Sequence, residues 1–387
     1  MRICFLCNEY PPGPHGGLGT LARLLGRALV RAGHEVRVAG VYPEDFAGPA
    51  HEVDEGVRVW RLRGGSSRPA KALARRRLYR MVRDWVRNGE VDLVEAADWE
   101  GWIAGWPRLA VPVVARLNGT VAYFAAEAGD RPPRLTAALE RRSLRRADAW
   151  CAASRYVAER TRAVFDLRLA PMAILYNPVE LPPPAVDSDR IPGKVVFSGR
   201  LIAKKGVVPL LRAWPRVRAR VPGSELHLFG RDGPVGRGRS MRAFLQGLIG
   251  DAPEPGVVFH GHVHREELAA ALDTASVAVF PSFAEAFAFA PMEAMAAGCA
   301  TVYSTRGSGP ELVEDGRDGL LVEPSDPGRI ADTVARLLTD ADLRMRLGKA
   351  GRRRVAESFS MPVLLPANEA FYREAIERFR REGAARA

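Results

Sequence analysis

Two carboxylates stand eight positions apart in an otherwise uncharged stretch. It reads Pro281-Ser282-Phe283-Ala284-Glu285-Ala286-Phe287-Ala288-Phe289-Ala290-Pro291-Met292-Glu293, and it follows an apolar run with strand character. Glu285 falls in a loop and Glu293 in the first turns of a helix begun near Ala290. Ionised carboxylates accept hydrogen bonds from vicinal hydroxyls, as on a ribose or a pyranose. A Glu near a helix start also gains from the dipole, so Glu293 has a structural reading beside the chemical one.

Two other loops have the composition of an anion site. Residues 199–206 read Gly199-Arg200-Leu201-Ile202-Ala203-Lys204-Lys205-Gly206 between a strand and a helix. A planar guanidinium and a point-charge ammonium flanking a helix start suit a diphosphate. The alternative is a solvated basic turn. Near the N-terminus, Asn8-Glu9-Tyr10-Pro11-Pro12-Gly13-Pro14-His15-Gly16-Gly17-Leu18-Gly19 leads into a helix. Gly16, Gly17 and Gly19 permit close backbone approach, and a helix start offers free N–H groups. Contact with a phosphate or a sugar and an ordinary βα turn both fit this loop.

The elements that must hold these loops alternate along the chain. Strand candidates at 2–7, 35–40, 57–61, 91–95, 113–116, 149–153 and 173–175 are interleaved with helical patterns at 18–32, 71–88, 137–147 and 156–165. A proline-rich break at 177–184 follows. The alternation then restarts with 194–198, 208–220, 225–229, 257–260, 265–275, 277–280, 290–297, 300–304, 319–322 and 326–338, and a helical tail spans 362–381. This pattern predicts two α/β domains with parallel sheets, and 387 residues is about right for two such cores. Ligands in such sheets bind beyond the C-terminal strand ends, where all three loops fall.

Composition narrows the function classes. The net charge is +12, yet only five of the 57 basic residues are lysine. The sign favours anionic partners, but the arginines are spread over both halves, unlike the clustered patch of a nucleic-acid binder. No apolar run has the length of a membrane span, and the first strand is too short and too soon broken by Pro11-Pro12 for a signal peptide, so a cytoplasmic protein is expected. Cys4 and Cys7 would point to opposite faces of a strand and make a poor metal clamp.

With its motifs taken in order, the sequence resembles glycosyltransferase family 4, a retaining family with the GT-B fold. The resemblance rests on Glu285-x₇-Glu293, Phe197-Ser198-Gly199-Arg200-Leu201 with Lys205-Gly206, Leu228-Phe229-Gly230-Arg231-Asp232-Gly233, Phe259-x-Gly261, and Asp315-Gly316-x-x-Gly319-Leu320. It implies two Rossmann-like doubly wound domains facing across a cleft. Residues 1–178 would bind acceptor, 179–361 would bind the nucleotide sugar, and a helix at 362–387 would cross back to the first domain. Arg200 and Lys205 would neutralise the leaving diphosphate without a metal or other cofactor. Glu293 would hold the ribose and Glu285 the donor sugar. Ala286, Phe287, Ala288 and Phe289 would approach the phosphates, and the Gly16-Gly17 loop would close on them. Arg231 and Val263 would also lie on the donor side, Val263 near the base edge.

The acceptor half is less determined. Where many members carry a His, this chain has Asn118, which cannot hold a proton or a charge. Asn118 is therefore expected to orient donor or acceptor. Asp98, Trp99 and Glu100 fall in a cleft loop, and an aromatic face beside carboxylates suits a hydroxylated or amino-bearing acceptor. Residues 68–87 carry eight basic groups and one acid, with Leu78, Met81, Val82, Trp85 and Val86 on one face. Such a helix fits either an anionic membrane surface or a sheet. The implied activity is transfer from a UDP- or GDP-linked sugar to a hydroxyl acceptor in cell-surface polysaccharide, glycolipid or secondary-metabolite assembly. A nucleotide-sugar epimerase and a non-catalytic basic protein are the alternatives.

Overall fold

The computed structural model describes residues 1–13, 15–167, 171–183, 190–236, 238–248 and 256–384. Pro14 of the first loop and Pro184 of the proline-rich junction lie outside them. The chain divides into two compact units, 1–178 with 361–387, and 179–360.

The first unit comprises β1 (Arg2–Leu6), α1 (Gly17–Arg31), β2 (Glu35–Tyr42), β3 (His51–Asp54), β4 (Val57–Arg63), α2 (Arg68–Arg87), β5 (Leu93–Ala97), β6 (Val113–Leu117), α3 (Val121–Glu127), α4 (Arg134–Arg146), β7 (Ala149–Ala152), α5 (Arg155–Phe165) and β8 (Ala173–Ile174). The sheet order is β3-β4-β2-β1-β5-β6-β7-β8. Every pairing is parallel except β3 on β4. Parallel strands covered on both faces read as continuous apolar runs. β6 is buried along all five residues although one of them is Arg116. Leu21, Leu24, Leu25 and Leu29 of α1 are buried at helical spacing, each worth roughly 1.5–3 kcal/mol. Cys4 and Cys7 are buried free thiols, and burial pushes both up to about 12.

The apolar stripe of α2 is used inside the protein. Leu78, Val82 and Val86 share a core with Cys4, Val94 and Val113, and the Trp85 ring lies 4.6 Å from that of Trp60. Of the two surfaces that such a helix fits, this stripe meets the sheet. Among the described residues no helix is long and apolar enough to cross a membrane.

The second unit comprises β9 (Ile191–Ser198), α6 (Val207–Arg220), β10 (Glu225–Phe229), a small hairpin of β11 (Pro234–Val235) and β12 (Arg239–Ser240), α7 (Met241–Leu248), β13 (Val257–Gly261), α8 (Arg265–Asp273), β14 (Ala275–Phe280), α9 (Phe289–Ala296), β15 (Ala300–Ser304), α10 (Gly309–Leu312), β16 (Leu320–Val322), α11 (Pro327–Thr339) and α12 (Ala341–Ser358). Its parallel sheet runs β13-β10-β9-β14-β15-β16. The sequence pattern does not show α12. Its buried positions include Gly348 and Gly351, where a Cβ would come within 2.3 Å of Gly298 O and 2.8 Å of Asp318 O. The helix packs by its backbone, so it carries a weak apolar signature. Asp340 caps it by accepting from Leu343 N. The last helix, α13 (Met361–Ala384), belongs to the first unit and contains Pro366 in its second turn.

Candidate active site

In the second unit the strand order reverses between β9 and β14, and a crevice opens beyond the strand ends at such a point. The loops there are 199–206 and 281–288. Lys205 Nζ forms an ion pair with Glu285 Oε1, and Phe283 N donates to Lys204 O at 2.7 Å. Gly206 makes the approach possible. It has φ +73°, and a Cβ would meet Pro281 O at 1.8 Å. Burial lowers the pKa of Lys204, with Glu285 opposing and Lys205 and Arg200 adding to the effect. Three cations and one carboxylate are thus electrostatically coupled across two loops. Arg200 is exposed, while Glu285 is buried.

The following helix, α9, starts at Phe289 with Ala288 as N-cap and no side chain capping it. Its first amides are intrinsically short of partners. Ala286 and Phe287 are buried, and the Phe287 ring lies 5.2 Å from that of Phe359. Their side chains serve the core, so any ligand contact they make is through the backbone. Arg231 Nη2 lies 3.2 Å from His262 Nε2, which brings the loop after β10 beside half-buried Val263.

Glu293 is half-buried near the start of α9. It lines a cavity of about 450 Å³ with Glu180, Pro182, Arg265, Leu268 and Asp273. Burial pushes its carboxyl up, and Arg265 pulls the other way. Arg265 opens α8 and gives no sequence signal, because a cation in a polar first turn reads as solvated surface.

In the first unit the order reverses between β1 and β5. Asp98 does not present itself to a ligand there. It is 1% exposed, and its two oxygens accept from Asn118 N at 3.0 Å and Gly119 N at 3.1 Å. Burial still pushes it up to about 7. This corrects the acceptor contact expected of Asp98: it braces the loop that carries Asn118. Fully buried Glu140 does similar work, accepting from Glu100 N at 3.1 Å, Val121 N at 2.8 Å and Ala122 N at 3.1 Å. It ties residues 98–101 to the start of α3. A single acid in an arginine-rich helix reads as surface, so sequence alone gives no hint of this role.

Trp99 is 36% exposed, its ring edge-on to Phe124, and Glu100 sits in the left-handed region at φ +56°. Such strain in a non-glycine residue clusters at functional sites. The start of α1 is not fully open either. Gly16 is its N-cap and Gly17 its first residue, but Glu9 Oε1 accepts from Gly19 N at 2.9 Å. One of the N–H groups expected to meet an anion already meets a carboxylate. Replacement of Glu140 with Gln is expected to cost about 1–3 kcal/mol by breaking charge-assisted bonds to three amides. Thermal melting would show the loss, and an unchanged melting temperature would contradict the bracing role.

Both crevices are built from loops that follow parallel strands, in two Rossmann-like units. Residues 15–181 match the model of Glycosyltransferase Family 4, and residues 192–340 match that of Glycosyl transferases group 1. The chain belongs to glycosyltransferase family 4. This family-4 glycosyltransferase is 29% identical to the glycogen synthase of Mycobacterium tuberculosis, over 96% of its own length and 94% of the relative's. It is 28% identical to the GDP-mannose-dependent alpha-(1-6)-phosphatidylinositol monomannoside mannosyltransferase of the same organism, over 91% and 92%. A sucrose-phosphate synthase structure from Thermosynechococcus elongatus superposes with a TM-score of 0.80 at 23% identity, covering 97% of this chain and 99% of that one. That likeness fixes the fold as GT-B.

Proposed function

We propose that this glycosyltransferase moves a hexose from a UDP- or GDP-linked donor to a hydroxyl acceptor with retention at the anomeric carbon. The ion pair between Lys205 and Glu285 carries the reading. It joins a cation loop suited to a diphosphate to a carboxylate suited to a sugar at one strand-order reversal. Lys205 and Arg200 would take up charge on the departing diphosphate, and Glu285 would steady the oxocarbenium-like centre. Their two positive charges do what a divalent cation does in other transferases, so the reaction is proposed to need no metal. Glu293 would hold the ribose hydroxyls. The name of the GDP-mannose-dependent relative supports a nucleoside diphosphate donor. Cell-surface polysaccharide, glycolipid and secondary-metabolite assembly are the settings in which such an acceptor would arise.

A donor panel tests the proposal. Common UDP-, GDP- and ADP-sugars are incubated with the protein, with and without candidate acceptors and with and without EDTA. The expected result is nucleotide release from one donor class, stimulated by acceptor and insensitive to chelator. Release from none of them would sink the transferase reading, and loss of release in EDTA would overturn the metal-free one.

A further inference from the structure

Helices α2 and α4 lie on one face of the first sheet. The chain steps in the same direction along the sheet from β4 to β5 and from β6 to β7, and right-handed crossovers put both connections on one side. The two helices grip one segment between them. From α2, Arg75 Nη2 donates to Glu100 O at 2.6 Å, and the Tyr79 ring lies 5.4 Å from that of Trp106. From α4, Arg146 Nε donates to Trp106 O at 2.8 Å, and Glu140 accepts from Glu100 N. Each helix leads into a parallel strand, β5 or β7, so both begin near the strand ends where the first unit's crevice opens.

The outward side of this pair is basic and unmatched. Arg76, Arg80 and Arg87 of α2 and Arg141, Arg142 and Arg145 of α4 are exposed, and none makes an ion pair among the described residues. The one acid of α2, Asp84, is bonded to Arg83 at 2.7 Å. The one acid of α4, Glu140, is fully buried against the amides it braces. Like charges four positions apart, as at Arg76 and Arg80 or Arg141 and Arg145, oppose helix formation. The stripes weigh against the fold that carries them, and their charge is complementary to an anionic surface.

Two leucines separate a bilayer from a nucleic acid. Leu73 is 58% exposed and Leu135 52%, each within the first two turns of its helix, at the end next to the crevice. A phosphodiester backbone gives them nothing to bury against. The boundary between headgroups and acyl chains takes arginine at the phosphates and leucine beneath them. We propose that the outward face of α2 and α4 docks on a bilayer rich in anionic lipid. The inward stripe of α2 takes no part, because Leu78 and Val82 stay in the core. On the reading of the first unit as the acceptor half, docking holds its crevice at the membrane surface, where a lipid-borne acceptor is presented.

The test is sedimentation of the full chain with vesicles of phosphatidylglycerol and phosphatidylcholine in equal parts, against vesicles of phosphatidylcholine alone. Binding is expected to the anionic vesicles only, and to be lost at about 1 M salt, where the screening length shrinks to about 3 Å. Arg141→Gln, Arg142→Gln and Arg145→Gln combined are expected to weaken partition about a hundredfold, the scale of three basic residues at a charged leaflet. Arg212→Gln, Arg336→Gln and Arg353→Gln combined change the net charge equally, on exposed positions of the second unit, and are expected to weaken it less than about threefold. Leu73→Ser with Leu135→Ser is expected to cost about tenfold on vesicles and nothing on a DNA duplex of equal phosphate concentration. Equal binding to neutral vesicles, equal loss in the two arginine triples, or tighter binding to the duplex than to anionic vesicles would each overturn the proposal. No step needs turnover, so an active transferase that ignores anionic vesicles would sink the docking alone.

Discussion

Glu285→Gln is expected to lower turnover by about 10²–10³, the usual scale for removing one preorganised electrostatic group from a reacting centre. The substitution keeps the volume and a hydrogen-bonding oxygen for Lys205, so it removes charge with little else. Glu285 is 9% exposed and held by the ammonium of Lys205, so it needs no reorientation when positive charge builds on the sugar. An interaction of that kind is stronger in the transition state than in the ground state. The loss should therefore fall on kcat, with the donor KM moving much less. If the carboxylate served only to join the two loops, the opposite would be seen: a lower melting temperature with kcat intact. Steady-state kinetics and a thermal melt of the same preparation separate the two, and full activity in the variant ends the proposed role.

The two loops that meet at the crevice of the second unit were legible in the sequence because their chemistry is local. Arg200, Lys205 and Glu285 are charged residues in short glycine-bearing or apolar loops that follow strands, and no packing argument is needed to notice them. Gly206 shows why their meeting was not fully legible. Its left-handed backbone and contact with Pro281 O are what let the loops close, and that contact spans 75 positions. The bracing carboxylates were hidden for the same reason. Glu140 and Asp98 bind backbone N–H groups, which every residue but proline possesses, so nothing in the residue types marks the partners. Helix α2 shows an ambiguity of another kind. Its stripe of apolar residues has the same spacing whether it meets lipid or a sheet, and only the fold decides that Leu78 and Val82 are core. Glycine contacts at Gly348 and Gly351 hid α12 altogether.

Arg116→Met is expected to cost about 3–5 kcal/mol of stability, because it leaves Glu95 buried without its counter-charge. The arrangement is closed. Arg116 grips both oxygens of Glu95, and its Nη2 also reaches Asn368 Oδ1 at 2.7 Å and Tyr372 OH at 3.1 Å. Tyr372 donates to Glu95 Oε2 at 2.8 Å, and burial beside that carboxylate raises the phenol well above its ordinary value. Two strands and α13 are therefore tied by a single ion pair in the core. At roughly 2–4 °C per kcal/mol for a unit of this size, the melting temperature should fall by about 10 °C. Amides of α13 should exchange faster as well, since Asn368 and Tyr372 both lose a partner. The companion variant decides the cause. Arg116→Met combined with Glu95→Leu removes both charges, and apolar replacement of a buried pair is commonly neutral or stabilising. Recovery of most of the lost stability in the double variant would show that the stranded charge, rather than the missing guanidinium packing, caused the fall. A single variant that melts like the parent chain would mean that water reaches Glu95 and that the pair does not anchor the helix.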